Sequence, residues 1–133
     1  MRPKRLRIRM VQICASCFAG LAITSHLDAS ELTQSQWSDL LRAKLPSSIC
    51  REEWYFRRCF SISAQQCGWA VDSALGRCLS EYRGKMPAMF TSKEESAEWG
   101  ATLANCAGTL LEQTLKQYKN SSTRCSDVGS WSK

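Results

Sequence analysis

The spacing of apolar residues along the chain predicts helices. Apolar side chains recur every three or four positions in two long runs, one from Cys67 to Tyr82 and the other from Trp99 to Tyr118. That spacing places them along one face of an α-helix. No segment alternates apolar and polar residues over enough positions to predict a β-strand. The pattern therefore predicts an all-α protein, a small bundle of about four helices.

Residues that favour helix starts and stops set the predicted boundaries. Three predicted helices begin with a Ser or Thr that is followed three positions later by Gln or Glu, the spacing of a capping box: Thr33, Ser63 and Ser92. The first helix should end at Pro46, because proline interrupts helical hydrogen bonding. A second helix is predicted from Ser47 or Ser48 to Phe60, and the fourth helix should end near Asn120.

The first 29 residues have the features of an export signal. Five basic residues precede an uncharged, largely apolar stretch at residues 10–24, the order found in secretory signal peptides. At about 15 residues, this stretch is shorter than the roughly 20 residues that a membrane-spanning helix needs. We expect cleavage after Ala29, or alternatively nearer Thr24. The mature protein should then be periplasmic or secreted, without a stable membrane anchor.

Removal of the signal peptide changes the charge of the protein. Five of the 18 Lys and Arg residues and one of the 12 Asp and Glu residues lie in the first 29 positions, which leaves 13 basic and 11 acidic residues. The mature chain is therefore nearly neutral, although the full chain carries a net charge of +6. Its charge gives no reason to expect binding to nucleic acid.

The cysteines predict a disulfide-bonded domain. Cys14 and Cys17 belong to the signal peptide, and six cysteines remain: Cys50, Cys59, Cys67, Cys78, Cys106 and Cys125. An even number of cysteines in a small exported domain indicates that all of them form disulfides. We expect one helical domain at residues 30–119, followed by a polar tail at residues 120–133 that Cys125 attaches to the domain.

A geometric argument ranks the possible pairings. If the second and third helices form an antiparallel hairpin, cysteines at equal height face each other across it. The predicted disulfides are then Cys50–Cys78, Cys59–Cys67 and Cys106–Cys125. Cys67 would face Cys106 instead if the third and fourth helices were antiparallel neighbours. That pairing is the alternative.

The composition argues against the common kinds of catalytic site. The only histidine is His26, within the predicted signal peptide, so the mature domain should lack Ser-His and Cys-His nucleophile pairs and histidine-based zinc sites. If every cysteine is oxidised, no thiol nucleophile remains. We expect no cofactor, no metal and no catalytic residue. A hydrolase that uses two carboxylates is the remaining enzymatic alternative.

Two segments have the composition of a protein-binding surface. Residues 51–58 combine three arginines with three aromatic residues, and the connector at residues 85–90 is unusually apolar for a loop. Aromatic, Met and Arg side chains are enriched where proteins meet. The predicted contact set is Trp54, Tyr55, Phe56, Arg57, Arg58, Met86, Met89 and Phe90. The alternative interpretation is that the aromatic side chains belong to the core.

These features predict a non-catalytic binding protein outside the cytoplasm. The favoured interpretation is a periplasmic inhibitor, immunity protein or accessory protein of the cell envelope, whose partner is another protein. A secreted effector or toxin-like factor is the first alternative, because the same export signal and disulfides would serve it equally well.

Overall fold

Four α-helices form the described part of the chain, which in the computed structural model comprises residues 31–131. Their bounds are Gln34–Ile49 (α1), Tyr55–Cys59 (α2), Ala64–Tyr82 (α3) and Lys93–Thr114 (α4). Short 3₁₀ helices follow at Lys116–Tyr118, Thr123–Ser126 and Val128–Trp131. The predicted all-α class is confirmed, with four helices and three disulfides. The predicted signal peptide lies outside the described residues.

The three long helices begin at the predicted capping residues. In each case the hydroxyl oxygen accepts a hydrogen bond from the backbone N–H three residues later: Thr33 from Gln36 at 3.2 Å, Ser63 from Gln66 at 3.1 Å and Ser92 from Glu95 at 3.1 Å. These bonds satisfy backbone donors that the first helical turn leaves free. At Ser92 the box is incomplete, because the Glu95 carboxylate accepts from the N–H of Thr91 instead.

Helix α1 continues through Pro46, so the predicted stop at this residue is wrong. Pro46 lies in the last turn, where the N–H of Cys50 still donates to the Pro46 carbonyl at 2.9 Å. The hydroxyls of Ser47 and Ser48 both donate to the carbonyl of Lys44, at 2.9 and 3.1 Å. Because Ser47 and Ser48 belong to α1, the predicted second helix cannot begin there, and only the five residues of α2 are helical.

Helix α4 ends at Thr114, not near Asn120 as predicted. The chain then turns back to pair with the end of α2. The N–H of Ser61 donates to the carbonyl of Tyr118 at 2.8 Å, and the N–H of Asn120 donates to the carbonyl of Cys59 at 2.9 Å. A 3₁₀ turn at Lys116–Tyr118 lies between the end of α4 and this pairing. The backbone groups of residues 118–120 that bond to the chain near residue 60 cannot also extend the helix to Asn120.

Two short strands, which the pattern did not predict, form an antiparallel pair. Strand β1 (Leu32–Thr33) precedes α1, and strand β2 (Met89–Phe90) precedes α4. Leu32 lies opposite Phe90 in the ladder. Two residues are too few for an alternating pattern to be visible in a sequence.

The three disulfides use all six predicted cysteines but not the predicted pairs. They are Cys50–Cys67, Cys59–Cys125 and Cys78–Cys106. The predicted pairs were Cys50–Cys78, Cys59–Cys67 and Cys106–Cys125, and all three are wrong, as is the alternative Cys67–Cys106. The tail is attached by Cys125 as expected, but to α2 and not to α4.

The pairing differs because α3 packs against α1 and α4, and not against a long helix at residues 47–60. α1 and α3 are antiparallel: the side-chain amide of Gln34 donates to the carbonyl of Arg83 at one end, and the Cys50–Cys67 disulfide joins the helices at the other. Cysteines at equal height do face each other, but across α1 and α3. Cys59, left without a partner on α3, bonds to the C-terminal segment.

The core lies where α1, α3, α4 and the segment around β2 meet. Its largest fully buried side chains include Phe90, Leu75, Leu103 and Leu111. Trp37 of α1 stacks on Phe90, with ring centroids 4.4 Å apart. Burial of these side chains is the main contribution to stability. Among residues 31–131, no helix is long and apolar enough to cross a membrane.

Candidate binding groove

Three members of the predicted contact set are core residues. Tyr55 is 5% exposed, Met86 7% and Phe90 0%. Tyr55 packs edge-on against Phe56 and Phe60. Phe90 is fully buried and cannot contact a partner on the folded domain, so its assignment as a contact residue is wrong. Tyr55 and Met86 expose only a small edge, which lines a groove in each case, and most of each side chain packs in the core. Here the alternative interpretation, that the aromatics stabilise the core, is the correct one.

The other five members reach the surface, but they do not form one patch. Trp54 and Met89 are about half exposed, at 45% and 49%, and Arg58 is exposed. Phe56 and Arg57 are partly buried. Trp54 and Phe56 line a common groove, and Met89 is not among its lining residues. The structure therefore divides the predicted set between the core, the groove and separate surface positions.

The groove is an apolar depression of about 420 Å³ between α2, α4 and the C-terminal segment. Ala101, Ala104 and Gly108 lie along one face of α4 and line one side, where their small side chains leave space. Trp54 and Trp131 also line the groove. Among the described residues that line it, none is charged.

Sequence reasoning missed Trp131, Val128 and the small-residue face of α4. Trp131 and Val128 belong to the segment that was interpreted as a polar tail. The spacing of Ala101, Ala104 and Gly108 was a visible signal, since positions three, four and seven apart share a helix face. Nothing in the sequence indicated that Trp131 would line the same groove as Trp54.

An arginine stacks on each of the two tryptophans. The guanidinium of Arg51 lies 5.5 Å from the ring centroid of Trp54, and that of Arg124 lies 4.0 Å from the ring centroid of Trp131. The indole N–H of Trp131 also donates to the carbonyl of Arg124 at 3.1 Å. Cation–π contacts of this kind restrict the rings. Less side-chain freedom is then lost when a ligand binds.

A hydrogen-bonded cluster lies next to the groove. The Tyr55 hydroxyl donates to one carboxylate oxygen of Glu112, and the Lys119 ammonium donates to the other at 3.0 Å. Burial, reinforced by the hydrogen bond to Glu112, raises the pKa of Tyr55. The hydrogen bond with Tyr55, followed by the one with Glu112, raises the pKa of Lys119. Both oxygens of Glu112 therefore have hydrogen-bond partners within the protein.

Two other charged side chains of residues 51–58 have defined roles. Glu53 pairs with Arg51 at 2.7 Å, and a backbone hydrogen bond, together with Arg51, lowers the pKa of this exposed carboxylate. One terminal nitrogen of Arg57 donates to the carbonyl of Cys50 at 3.5 Å, whereas its buried Nε has no hydrogen-bond partner. Within residues 31–131, no cluster of three or more His, Cys, Asp or Glu side chains could hold a metal ion.

Comparison with known proteins gives one match. A family model described as "T2SS substrate NttA", where T2SS denotes the type II secretion system, matches residues 31–122. The match begins just after the predicted cleavage site and ends before Cys125 and Trp131. No curated protein and no solved structure matches the chain.

Proposed function

Because this chain belongs to the NttA family of type II secretion substrates, we propose that it is a secreted, non-catalytic protein that binds another protein in the Trp54–Trp131 groove. A type II secretion system takes its substrates from the periplasm. On this export route the protein would first be periplasmic and then secreted, so both locations predicted from the sequence would apply in turn. The family favours the secreted effector, the first alternative of the sequence analysis, over a protein retained in the envelope.

The single observation that supports binding is the exposed apolar groove between two restrained tryptophans. Tryptophan is enriched among the residues that contribute most to protein–protein affinity, especially beside a well-packed apolar pocket. A concave apolar surface with few polar groups is also the common form of a binding site. Since no described lining residue is charged, the surface region that enters the groove should be apolar.

The proposal that the protein is not an enzyme rests on the state of its reactive groups. All six cysteines of the described residues are in disulfides, so none of them can act as a nucleophile. The partly buried carboxylate of Glu112 is held by Tyr55 and Lys119. A carboxylate-dependent hydrolase would need a second acidic group close to an accessible first one.

Fractionation of the producing bacterium tests the route. We expect intact mass spectrometry to find, in the culture medium, a mature protein whose first residue lies between positions 25 and 31. In a strain without a functional type II system, the same species should accumulate in the periplasm. An unchanged distribution between the two strains would contradict the proposed route, and full-length chain in the membrane fraction would contradict signal cleavage.

Substitutions at the groove test the binding mode. Trp54→Ala and Ala101→Glu should each weaken capture of the partner by about tenfold or more, because one removes apolar contact area and the other places a charge in an apolar site. Trp69→Ala is the matched control, since Trp69 is 66% exposed on α3 and does not line the groove. Capture from envelope extract and from cells exposed to the secreted protein would be quantified by mass spectrometry.

Melting temperatures separate a binding defect from unfolding. The melting temperatures of all three variants should be close to that of the wild type, because Trp69 is largely exposed, Trp54 is about half exposed and Ala101 lies on the exposed face of α4. If Trp69→Ala reduced capture as much as Trp54→Ala did, or if neither groove variant reduced it, the groove would not be the binding site.

A further inference from the structure

A second groove, polar in character, lies between α1 and α3. It encloses about 380 Å³. Near one end, the Gln34 side chain donates to the carbonyl of Arg83 at 3.0 Å, and near the other, Arg42 pairs with Asp72 at 2.9 Å. Eight residues of helix separate Gln34 from Arg42, which corresponds to about 12 Å. The groove is therefore long and open, not a compact pocket.

The groove presents hydroxyl, guanidinium and carboxylate groups together. Its hydroxyls belong to Ser35, Ser38 and Ser80, and its charged groups belong to Asp39, Arg42 and Arg83. Within residues 31–131, the side chains of Ser35, Asp39, Ser80 and Arg83 have no hydrogen-bond or ion-pair partner in the protein. A ligand would therefore meet donors and acceptors that the fold itself does not use.

Gly76 lets Arg42 lie against α3. A Cβ atom at position 76 would come within 3.0 Å of one terminal nitrogen of Arg42. The absence of this atom allows the guanidinium to cross the helix and reach Asp72. The ion pair holds the Arg42 side chain in place, so that less of its freedom is lost on binding.

We propose that this groove binds a segment of an acidic polysaccharide, with carboxylates of separate sugar rings on Arg42 and Arg83 and sugar hydroxyls on the serines and Asp39. Guanidinium groups bind carboxylates through paired, charge-assisted hydrogen bonds. Sugar hydroxyls both donate and accept, and the groove offers Asp39 as an acceptor and serine hydroxyls as both. The length and openness of the groove fit part of a chain molecule.

The single carboxylate of Asp39 distinguishes this ligand from a polyphosphate. It would repel a ligand with several closely spaced negative charges, whereas the carboxylates of a polysaccharide are one to a sugar ring and can bind at Arg42 and Arg83 while Asp39 accepts from the hydroxyls. This site shares no lining residue with the Trp54–Trp131 groove. The inference therefore does not depend on the proposed protein partner.

Titration of the isotopically labelled mature protein with trigalacturonic acid tests the inference by NMR. We expect chemical-shift changes at residues 35–42 and 76–83, and none of comparable size with the neutral trisaccharide maltotriose. Arg83→Ala should weaken binding by about tenfold, the usual effect of losing one charge-assisted hydrogen-bonding partner. Arg77→Ala should bind like the wild type, because Arg77 lies on the same helix but does not line the groove.

Gly76→Ala supplies a variant that keeps every ligand-binding side chain. It should weaken binding less than Arg83→Ala does, because a Cβ atom 3.0 Å from one terminal nitrogen of Arg42 shifts that flexible guanidinium only slightly. The melting temperature should stay the same or rise, since alanine favours a helix more than glycine does. The inference would be overturned by absent or displaced shift changes, by equal binding of maltotriose, or by equal loss in Arg77→Ala. Stronger binding of inorganic triphosphate at the same residues would also overturn it, since the site would then select charge and not sugar.

Discussion

Neighbouring residues of similar type have opposite environments in this protein. Trp54 is 45% exposed and Tyr55 is 5% exposed, and likewise Met89 is 49% exposed and Phe90 is fully buried. On β2 the reason is simple, because successive side chains of a strand point to opposite sides. At Trp54 and Tyr55 the helix is only beginning, and the Tyr55 ring is the one that packs against Phe60 and Trp131. Composition identified these residues as noteworthy but could not assign each one to core or surface.

The burial of Tyr55 leads to a prediction about alkaline pH. The pKa values of Tyr55 and Lys119 are both raised in the folded protein, so the folded state holds these protons more tightly than the unfolded state does. This contribution to stability is complete below about pH 10, the unfolded pKa of both groups, and is lost as pH rises through the folded values. Stability of the wild type should therefore fall steeply above about pH 10.

Tyr55→Phe should reduce that alkaline loss. The variant removes one titrating group and the hydrogen bond that contributes most to the raised pKa of Lys119. At pH 7 it should cost about 1 to 2 kcal/mol, because Glu112 loses a hydrogen-bond partner. Urea unfolding at pH 7, 9 and 11 measures both effects. Tyr118→Phe is the control, since Tyr118 is 43% exposed, and an equal effect of both variants on the alkaline loss would contradict the assignment.

At the scale of elements, starts were easier to predict than ends. The capping hydroxyls at Thr33, Ser63 and Ser92 each bond to a backbone group three residues away, and such a bond can be read from adjacent sequence. The end of α4 depended instead on hydrogen-bond partners that are distant in the sequence. α4 stops because residues 118–120 bond to the chain around residue 60, and no local signal at the end of α4 indicates those contacts.

One misplaced helix boundary accounts for the disulfide prediction. Ending the first helix at Pro46 created a second long helix, and that helix then became the presumed neighbour of α3. The actual neighbour is α1, which carries Cys50 just beyond its last residue and brings it opposite Cys67. For Cys50–Cys67 the rule that cysteines bond at equal height was sound, but it was applied to the wrong pair of helices. Across α3 and α4 the rule favoured Cys67–Cys106, whereas the structure joins Cys78 to Cys106.

At the scale of the whole molecule, the disulfides should differ in their effect on stability. Cys59–Cys125 closes a loop of 66 residues, and Cys50–Cys67 closes one of 17. Loop-closure entropy predicts a loss of about 4 kcal/mol for the first and about 3 kcal/mol for the second when both cysteines are replaced by alanine. Denaturant unfolding of the two double variants measures the difference. A larger loss for Cys50→Ala/Cys67→Ala would contradict this ranking.

The same comparison connects stability with the groove. Cys125 attaches the segment that ends in Trp131 to α2, so the Cys59→Ala/Cys125→Ala variant should also bind the protein partner more weakly. Cys50→Ala/Cys67→Ala should keep its binding under conditions where it remains folded. Peptide mapping of the oxidised wild type, without reduction, checks the three pairs directly.

The sequence by itself determined the helical class, the starts of the three long helices and the participation of all six cysteines in disulfides. Each of these depends on residues within about one helical turn of each other, or on the number of cysteines in an exported domain. Only the tertiary structure decided the disulfide partners, the burial of Tyr55 and Phe90, and the groove, whose lining residues come from the end of α1, the start of α2, α4 and the C-terminal segment. These features depend on which helix faces meet, because burial and cross-linking join residues that are distant in sequence. The hydrophobic effect is not directional, so a sequence pattern shows which helix face is apolar but not which other helix that face packs against.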